Sequence, residues 1–384
     1  NYGGNLHNTP ANLLRMARAE GLDAVMNLVA NKDNRILDHQ FFQPGGGEHA
    51  ASYADSVAKL HMGEEYRPPF YGHVFFIGLR EHLISPFTTG YEGTAIESLY
   101  PSNTDMFRKA HAQGAVNGYV HAFTGDADPL NRDLGGAKGF PVDAALGTVD
   151  CLEWSAPSRA SLAIWHHVWN NDLPVCAAGG EDSISNLHRI KLVGSVRTYV
   201  NTGGPFSIQA WIRALRERKT YFSTGPLLDF RVNGKLPGET VNLPAGGGMV
   251  TLEGSVHSIA PLSKVVIHRS GTVLRELPVT GGRFRETVEA KESAWFSLYA
   301  EGPPYPWLDA EYPQAATTPV RVYAGEGRIR SRASAEYFVR WIDKLRGMAE
   351  AWPWWRSEKE KAHVFAQFDE ARRVYQRLAS EARP

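Results

Sequence analysis

Thr9-Pro-Ala-Asn-Leu-Leu-Arg-Met-Ala-Arg-Ala-Glu-Gly21 is followed, after Leu22, by Asp23-Ala-Val-Met-Asn-Leu-Val-Ala30. The first stretch has the punctuation of a helix: Thr9 as cap, Pro10 in the first turn where a missing N–H costs nothing, and Gly21 as stop. The second is an apolar run of strand length. The alternation recurs downstream, with further strand-like runs at 61–65, 73–79, 115–121, 148–154, 175–179 and 193–200, and helical patterns at 106–113, 159–170 and 207–218. In the last helix Ile208, Trp211, Ile212 and Leu215 mark one face at i, i+3, i+4 and i+7. Helices alternating with short apolar runs predict parallel strands with helices packed outside them.

Near Pro226 the pattern changes to turns and period-two alternation, as in Met249-Val-Thr-Leu-Glu-Gly-Ser-Val256, a hairpin about Ser270-Gly271, and Ala294-Trp-Phe-Ser-Leu-Tyr-Ala300. This predicts a small β-sandwich. From Ala333 helical spacing returns, with an apolar stripe through Val364, Phe368, Ala371, Val374, Tyr375 and Leu378 and a break at Trp352-Pro-Trp-Trp355. The predicted organisation is a barrel over 1–228, a β-sandwich over 229–326 and a helical hairpin over 327–384.

Lys plus Arg number 41 and Asp plus Glu 41, so the 384-residue chain lacks the basic excess that holds a polyphosphate backbone, and nucleic acid is excluded as a main partner. No apolar stretch approaches the roughly 20 residues that span a bilayer. Cys151 and Cys176 each lie in an apolar run, where a free buried thiol is the expected state. The chain opens Asn-Tyr-Gly-Gly, without an initiator Met, the expectation for a processed product or fragment.

The chemistry-bearing residues fall at the ends of apolar runs, which in a barrel of parallel strands gather at one mouth. His121 closes 115–121, Glu153 nearly closes 148–154, Glu181-Asp182 follow 175–180, Glu64-Glu65 end 61–65, and His73 opens the next run. Imidazoles and carboxylates together suit a divalent ion such as zinc or manganese. Each residue also has an ordinary reading, as a loop hydrogen bond, a helix cap or a solvated pair. His166-His167 sit in an apparent helix between Trp165 and Trp169, where packing accounts for them. No Gly-x-Ser-x-Gly elbow or P-loop signature is present.

Gly114-Ala-Val-Asn-Gly-Tyr-Val-His121, Gly63-Glu-Glu65 with Gly72-His73, Ala178-Gly-Gly-Glu-Asp182, Val196-Arg-Thr-Tyr-Val200 and the passage from Trp211 to Gly234 together resemble the CehA/McbA-like metallohydrolases of the PHP (polymerase and histidinol phosphatase) superfamily. The resemblance implies a distorted (β/α)7 barrel holding divalent metals, zinc foremost with manganese or iron as alternatives. It places ligands at Glu65, His73, His121 and Asp182, with Glu153 and His188 as further positions. It also implies hydrolysis of an ester, amide or carbamate by a metal-activated water, with a phosphoester as the alternative. Glu65 or Asp182 would bridge metals or accept the water's proton, and Arg197 would steady an oxyanion or else form an ordinary ion pair. Lys32, Arg197 and Tyr199 are the substrate-binding candidates. Two departures stand out: the family's opening His-x-His would precede Asn1, and Val29-Ala-Asn-Lys32 replaces its Asp-His. These departures keep open a rival reading, a degenerate barrel that binds a glycan or other ligand. A small-molecule substrate, a possible homo-oligomer and a periplasmic or secreted location complete the expectations.

Overall fold

A computed structural model of the chain describes residues 9–30, 40–52, 58–84, 97–154, 158–183 and 191–382. Helix α1 (Pro10–Ala19), capped by the Thr9 hydroxyl, leads into β1 (Ala24–Ala30), followed by β2 (Lys59–Tyr66), β3 (Val74–Ile77), β4 (Val116–Tyr119), β5 (Cys151–Trp154) and β6 (Cys176–Gly179). These six form one sheet in sequence order. Its strands are not all parallel: β1–β2, β4–β5 and β5–β6 are parallel, but β3 is antiparallel to both neighbours.

The expected (β/α)7 barrel is therefore not the architecture. Only residues 67–73 join β2 to β3, and a parallel return needs a crossover of about a dozen residues or more. The seventh apolar run also leaves the set. As β7 (Arg197–Val200) it pairs antiparallel with β8 (Thr220–Ser223) across helix α5 (Ile208–Arg216), inside a different sheet.

That second sheet has eight strands and takes members from both sides of residue 228. Besides β7 and β8 it contains β10 (Thr240–Leu243), β12 (Lys264–Arg269), β13 (Thr272–Glu276), β15 (Ala294–Glu301), β16 (Gln314–Thr317) and β17 (Val320–Ala324). Strands β9 (Leu227–Val232), β11 (Gly248–His257) and β14 (Gly282–Ala290) form a third sheet, and residues of both, among them Phe230, Leu252, Ile267 and Leu298, share one core. The six-stranded and eight-stranded sheets join through threonines rather than a backbone ladder. The Thr198 hydroxyl bonds both the N–H and the carbonyl of Gly179, Thr220 donates to the Ala177 carbonyl, and Thr318 accepts the Ala177 N–H. The outer edge of β6 thus has its backbone groups satisfied, as burial requires.

Alternation divides the six-stranded sheet into two faces. Val74 and Phe76 face a core completed by α2 (Asn103–Ala112), α3 (Phe140–Ala145) and α4 (Arg159–Trp169), whereas Phe75 and Ile77 face α5. The hairpin of α6 (Arg332–Glu350) and α7 (Glu358–Glu381) packs its apolar stripe onto α3 and α4, with Tyr375 bonded to the Pro141 carbonyl and Trp341 to that of Lys138. Its apolar face is therefore used within the chain. Among the described residues no helix is long and apolar enough to cross a membrane.

The cysteines are not free thiols. Cys151 and Cys176 lie directly opposite each other in the β5–β6 register and form a disulfide. Their separation of 25 residues conceals an adjacency that strand pairing creates.

Candidate metal centre

The reversal of β3 brings the candidate ligands together. Because it runs against β2 and β4, its start lies at the same edge as their ends: Tyr66 pairs with Val74, and Val74 with Tyr119. Glu65 is the penultimate residue of β2, His73 precedes β3 and His121 follows β4, so three separate segments deliver side chains to one point. Alternation also separates Glu65 from Glu64. Glu65 lies opposite Phe75 on the α5 side, while the buried Glu64 accepts hydrogen bonds from His82 Nδ1 and from the N–H groups of Leu83 and Ile84.

Glu65 Oε1 lies 3.3 Å from His73 Nδ1 and 3.6 Å from His121 Nε2, and the two ring nitrogens are 3.2 Å apart. These three are the group among the described residues whose donor atoms converge as metal ligands do. An ion held tetrahedrally at 2.0–2.1 Å by nitrogen and oxygen requires its ligands to be about 3.3–3.4 Å apart. The triangle has that size. Two histidines and one glutamate also form a donor set that leaves a fourth position open.

The local electrostatics suit a cation. Burial opposes ionisation of Glu65, but hydrogen bonds with His121 and His73 and the charge of Arg67 hold its carboxyl well below the usual range. Burial pushes His73 down towards the neutral form that binds metal, against the pull of Glu65. For His121 burial works the same way, yet Glu65, Glu153 and Asp182 together raise it. Arg67, two residues beyond Glu65, donates from Nη1 to Glu65 Oε1 at 2.8 Å. The sequence reading missed it, although period-two spacing from Glu65 was a usable signal.

The other candidates are distributed around this point. Glu153 Oε1 accepts the His121 backbone N–H at 3.2 Å, and its carboxylate lies so close to Gly180 that a Cβ there would be 2.6 Å away. His121 and Asp182 both hold positive φ, 44° and 50°, a strained state for non-glycine residues that tends to occur at functional sites. Asp182 lines the cavity beside the triad, as do Glu65, Arg67, His121 and Glu153. Neighbouring Glu181 is pushed up to about 7 by burial and by the charge of Glu153, against a hydrogen bond from Gly194. Arg197 also borders the cavity, but its guanidinium donates to the Gly194 carbonyl and pairs with Glu20 at 3.5 Å. Tyr199 stacks on Tyr221 and lines a separate cleft. Lys32 and His188 lie outside the described residues.

No family model matches the chain, and no curated protein matches it. The crystal structure of PsfC from Pseudomonas syringae PB-5123 is similar over 55% of this chain and 80% of that chain, at 18% identity and a TM-score of 0.37. A likeness this slight carries no argument about fold or activity.

Proposed function

We propose that this chain is a metal-dependent hydrolase acting on an ester, amide or carbamate bond, of the chemistry found in CehA/McbA-like metallohydrolases. The observation that carries the reading is the Glu65–His73–His121 triangle, whose 3.2–3.6 Å edges match one tetrahedral ion. The resemblance is kept for the donor types and not for the strand directions.

A divalent ion at this point, zinc foremost, would supply Lewis-acid polarisation of a carbonyl oxygen and a lowered pKa for a water. The protein's own groups supply the rest. Glu65, His73 and His121 would hold the ion. Glu153 fixes the His121 backbone by accepting its N–H. Asp182, at the cavity wall, would take the water's proton. Arg67 borders the same cavity and is hydrogen-bonded to Glu65 at 2.8 Å, so it orients that carboxylate. The engagement of Arg197 with Glu20 and Gly194 favours its alternative reading as an ordinary ion pair over the oxyanion role. The buried Cys151–Cys176 disulfide favours an oxidising compartment, and we place the protein in the periplasm or outside the cell.

The test is metal content per chain, by plasma mass spectrometry on protein purified without chelator, followed by a panel of ester, amide, carbamate and phosphoester substrates. Stoichiometric metal lost in His73→Ala and His121→Ala, with metal-dependent turnover of a carboxylic substrate, is the expected result. Turnover of the phosphoester alone would move the chain to the alternative reaction. Folded protein that takes up no added zinc, manganese or iron would leave the binding-protein reading in place of the hydrolase.

A further inference from the structure

The cavity bordering the triad is divided by chemistry. Its volume is about 500 Å³, within the roughly 300–1,000 Å³ range of small-molecule sites. Glu65, Arg67, His121, Glu153 and Asp182 gather where the sheet edge carries the triad. The wall along the rest of the sheet is apolar: Met26 and Leu28 of β1, Phe75 and Ile77 of β3, and Trp211 and Leu215 of α5. Met26, Leu28 and Trp211 are only partly buried, although they pack against a closed apolar cluster. Protein interiors are otherwise packed to crystal density, and an engineered cavity of about 150 Å³ is enough to bind a benzene ring. The apolar wall of this larger space is complementary to an apolar group, beside the polar end that the carboxylates and His121 form.

The polar end narrows the choice of ligand. Three carboxylates, Glu65, Glu153 and Asp182, line this end. Arg67 and Arg197 are each paired with a carboxylate. Apart from a bound ion, such an end leaves a carboxylate headgroup no unpaired guanidinium among the described residues to meet, whereas a neutral carbonyl needs none.

We infer that the cavity is the binding site for the apolar acyl chain of a neutral ester or amide, whose carbonyl is then presented to Glu65, His73 and His121. As a statement of substrate class this rests on the hydrolase reading. Hydrolysis balances simply, since water adds its hydroxyl to the acyl carbon and its proton to the departing alcohol or amine.

The experiment is calorimetric titration of the full-length protein with butanamide, hexanamide and octanamide, and with octanoate as the charged counterpart. Metal content is measured on the same samples. Transfer of one methylene into an apolar site predicts a gain of about fourfold in affinity per methylene added. Octanamide is expected to bind more tightly than octanoate, and Met26→Trp and Leu28→Phe, which fill the cavity, are expected to erase the chain-length gain while metal content stays at the wild-type level. Affinity independent of chain length, or a gain that persists in both variants, would overturn the inference. A parallel series of p-nitrophenyl esters separates the two readings. Chain-length-dependent binding without hydrolysis would sink the hydrolase and leave the acyl site standing. Hydrolysis with equal rates for acetyl and octanoyl esters, and no chain-length-dependent binding, would do the reverse.

Discussion

Two pairs of histidines in this molecule share nearly the same ring geometry. His73 and His121 have centroids 4.9 Å apart at 83°, and His166 of α4 and His268 of β12 have centroids 4.9 Å apart at 68°. Their surroundings differ completely. The first pair shares a carboxylate, Glu65, and its His121 borders a cavity. The second packs against Trp169, Trp295 and Tyr299, and His166 Nε2 and His268 Nδ1 have no hydrogen-bond partner. Burial depresses both members of the second pair, with neighbouring cationic groups adding to it: His268 and His167 for His166, Lys264 for His268, and only Glu301 opposing. In the first pair one ring is raised and the other lowered. Proximity of imidazoles is therefore not what makes a candidate metal site. An anionic donor and an opening are.

The sharpest way to break this comparison is to remove the anion. Glu65→Gln keeps the shape and deletes the charge, and should weaken zinc binding by more than the roughly 10- to 100-fold lost when a hydrogen-bond partner of a ligand is removed. His166→Ala should leave metal content unchanged. Competition with a chromophoric chelator measures both, and equal effects would erase the distinction between the two pairs.

The next effect concerns the floor beneath the first pair. The disulfide ties β5, which carries Glu153, to β6, which leads into Gly180, across a separation of 25 residues. In the chain-entropy account, closing a loop of that length stabilises by about 3.5 kcal/mol. Cys151→Ala with Cys176→Ala should lower the denaturation midpoint accordingly and weaken metal binding more than any change at His166.

The second pair should respond to acid. The His268 pKa is pushed from 6.5 down to about 4, mainly by burial, so the native state favours the neutral ring. Its contribution, about 3 kcal/mol at most, is fully present above pH 6.5 and lost as pH falls through 4. Urea midpoints at pH 7 and pH 4 should show this loss, and His268→Gln should shrink it. An unchanged acid response in His268→Gln would assign it to other groups.

A smaller effect is expected at Gly180. The Cβ of Gly180→Ala would stand 2.6 Å from the Glu153 carboxylate, which must then move away from the His121 N–H. Overpacking of this kind costs about 1–3 kcal/mol, and the flexible end of a glutamate places it towards the low end. Weaker metal binding with little change in thermal midpoint is the expected signature.

Much of the candidate site was legible in the sequence because its residues sit at ends of apolar runs. His73, His121 and the pair Glu64-Glu65 stood out from position, the resemblance chose Glu65 of that pair, and Trp165 and Trp169 correctly marked His166-His167 as packed: His167 stacks on Tyr337 at 4.1 Å. Arg67 was missed because it falls two residues beyond the predicted strand. Tyr199 and Arg197 were grouped with the site because β7 was read as a seventh strand of the same barrel, whereas antiparallel pairing with β8 turns Tyr199 towards Tyr221.

The sequence by itself determined the elements. Caps such as Thr9, Ser102 and Ser207, each accepting from a backbone N–H of its own helix, and the period-two runs are local signals that need no distant partner. Strand direction was within reach too, since the short connector 67–73 forbids a parallel return. Only the tertiary structure decided which strands became neighbours. The Cys151–Cys176 bond, the threonine seam along β6 and the 3.2–3.6 Å triangle all join residues far apart in the chain. Their distances follow from register and packing among several elements at once, and no local pattern of residues encodes such a distance.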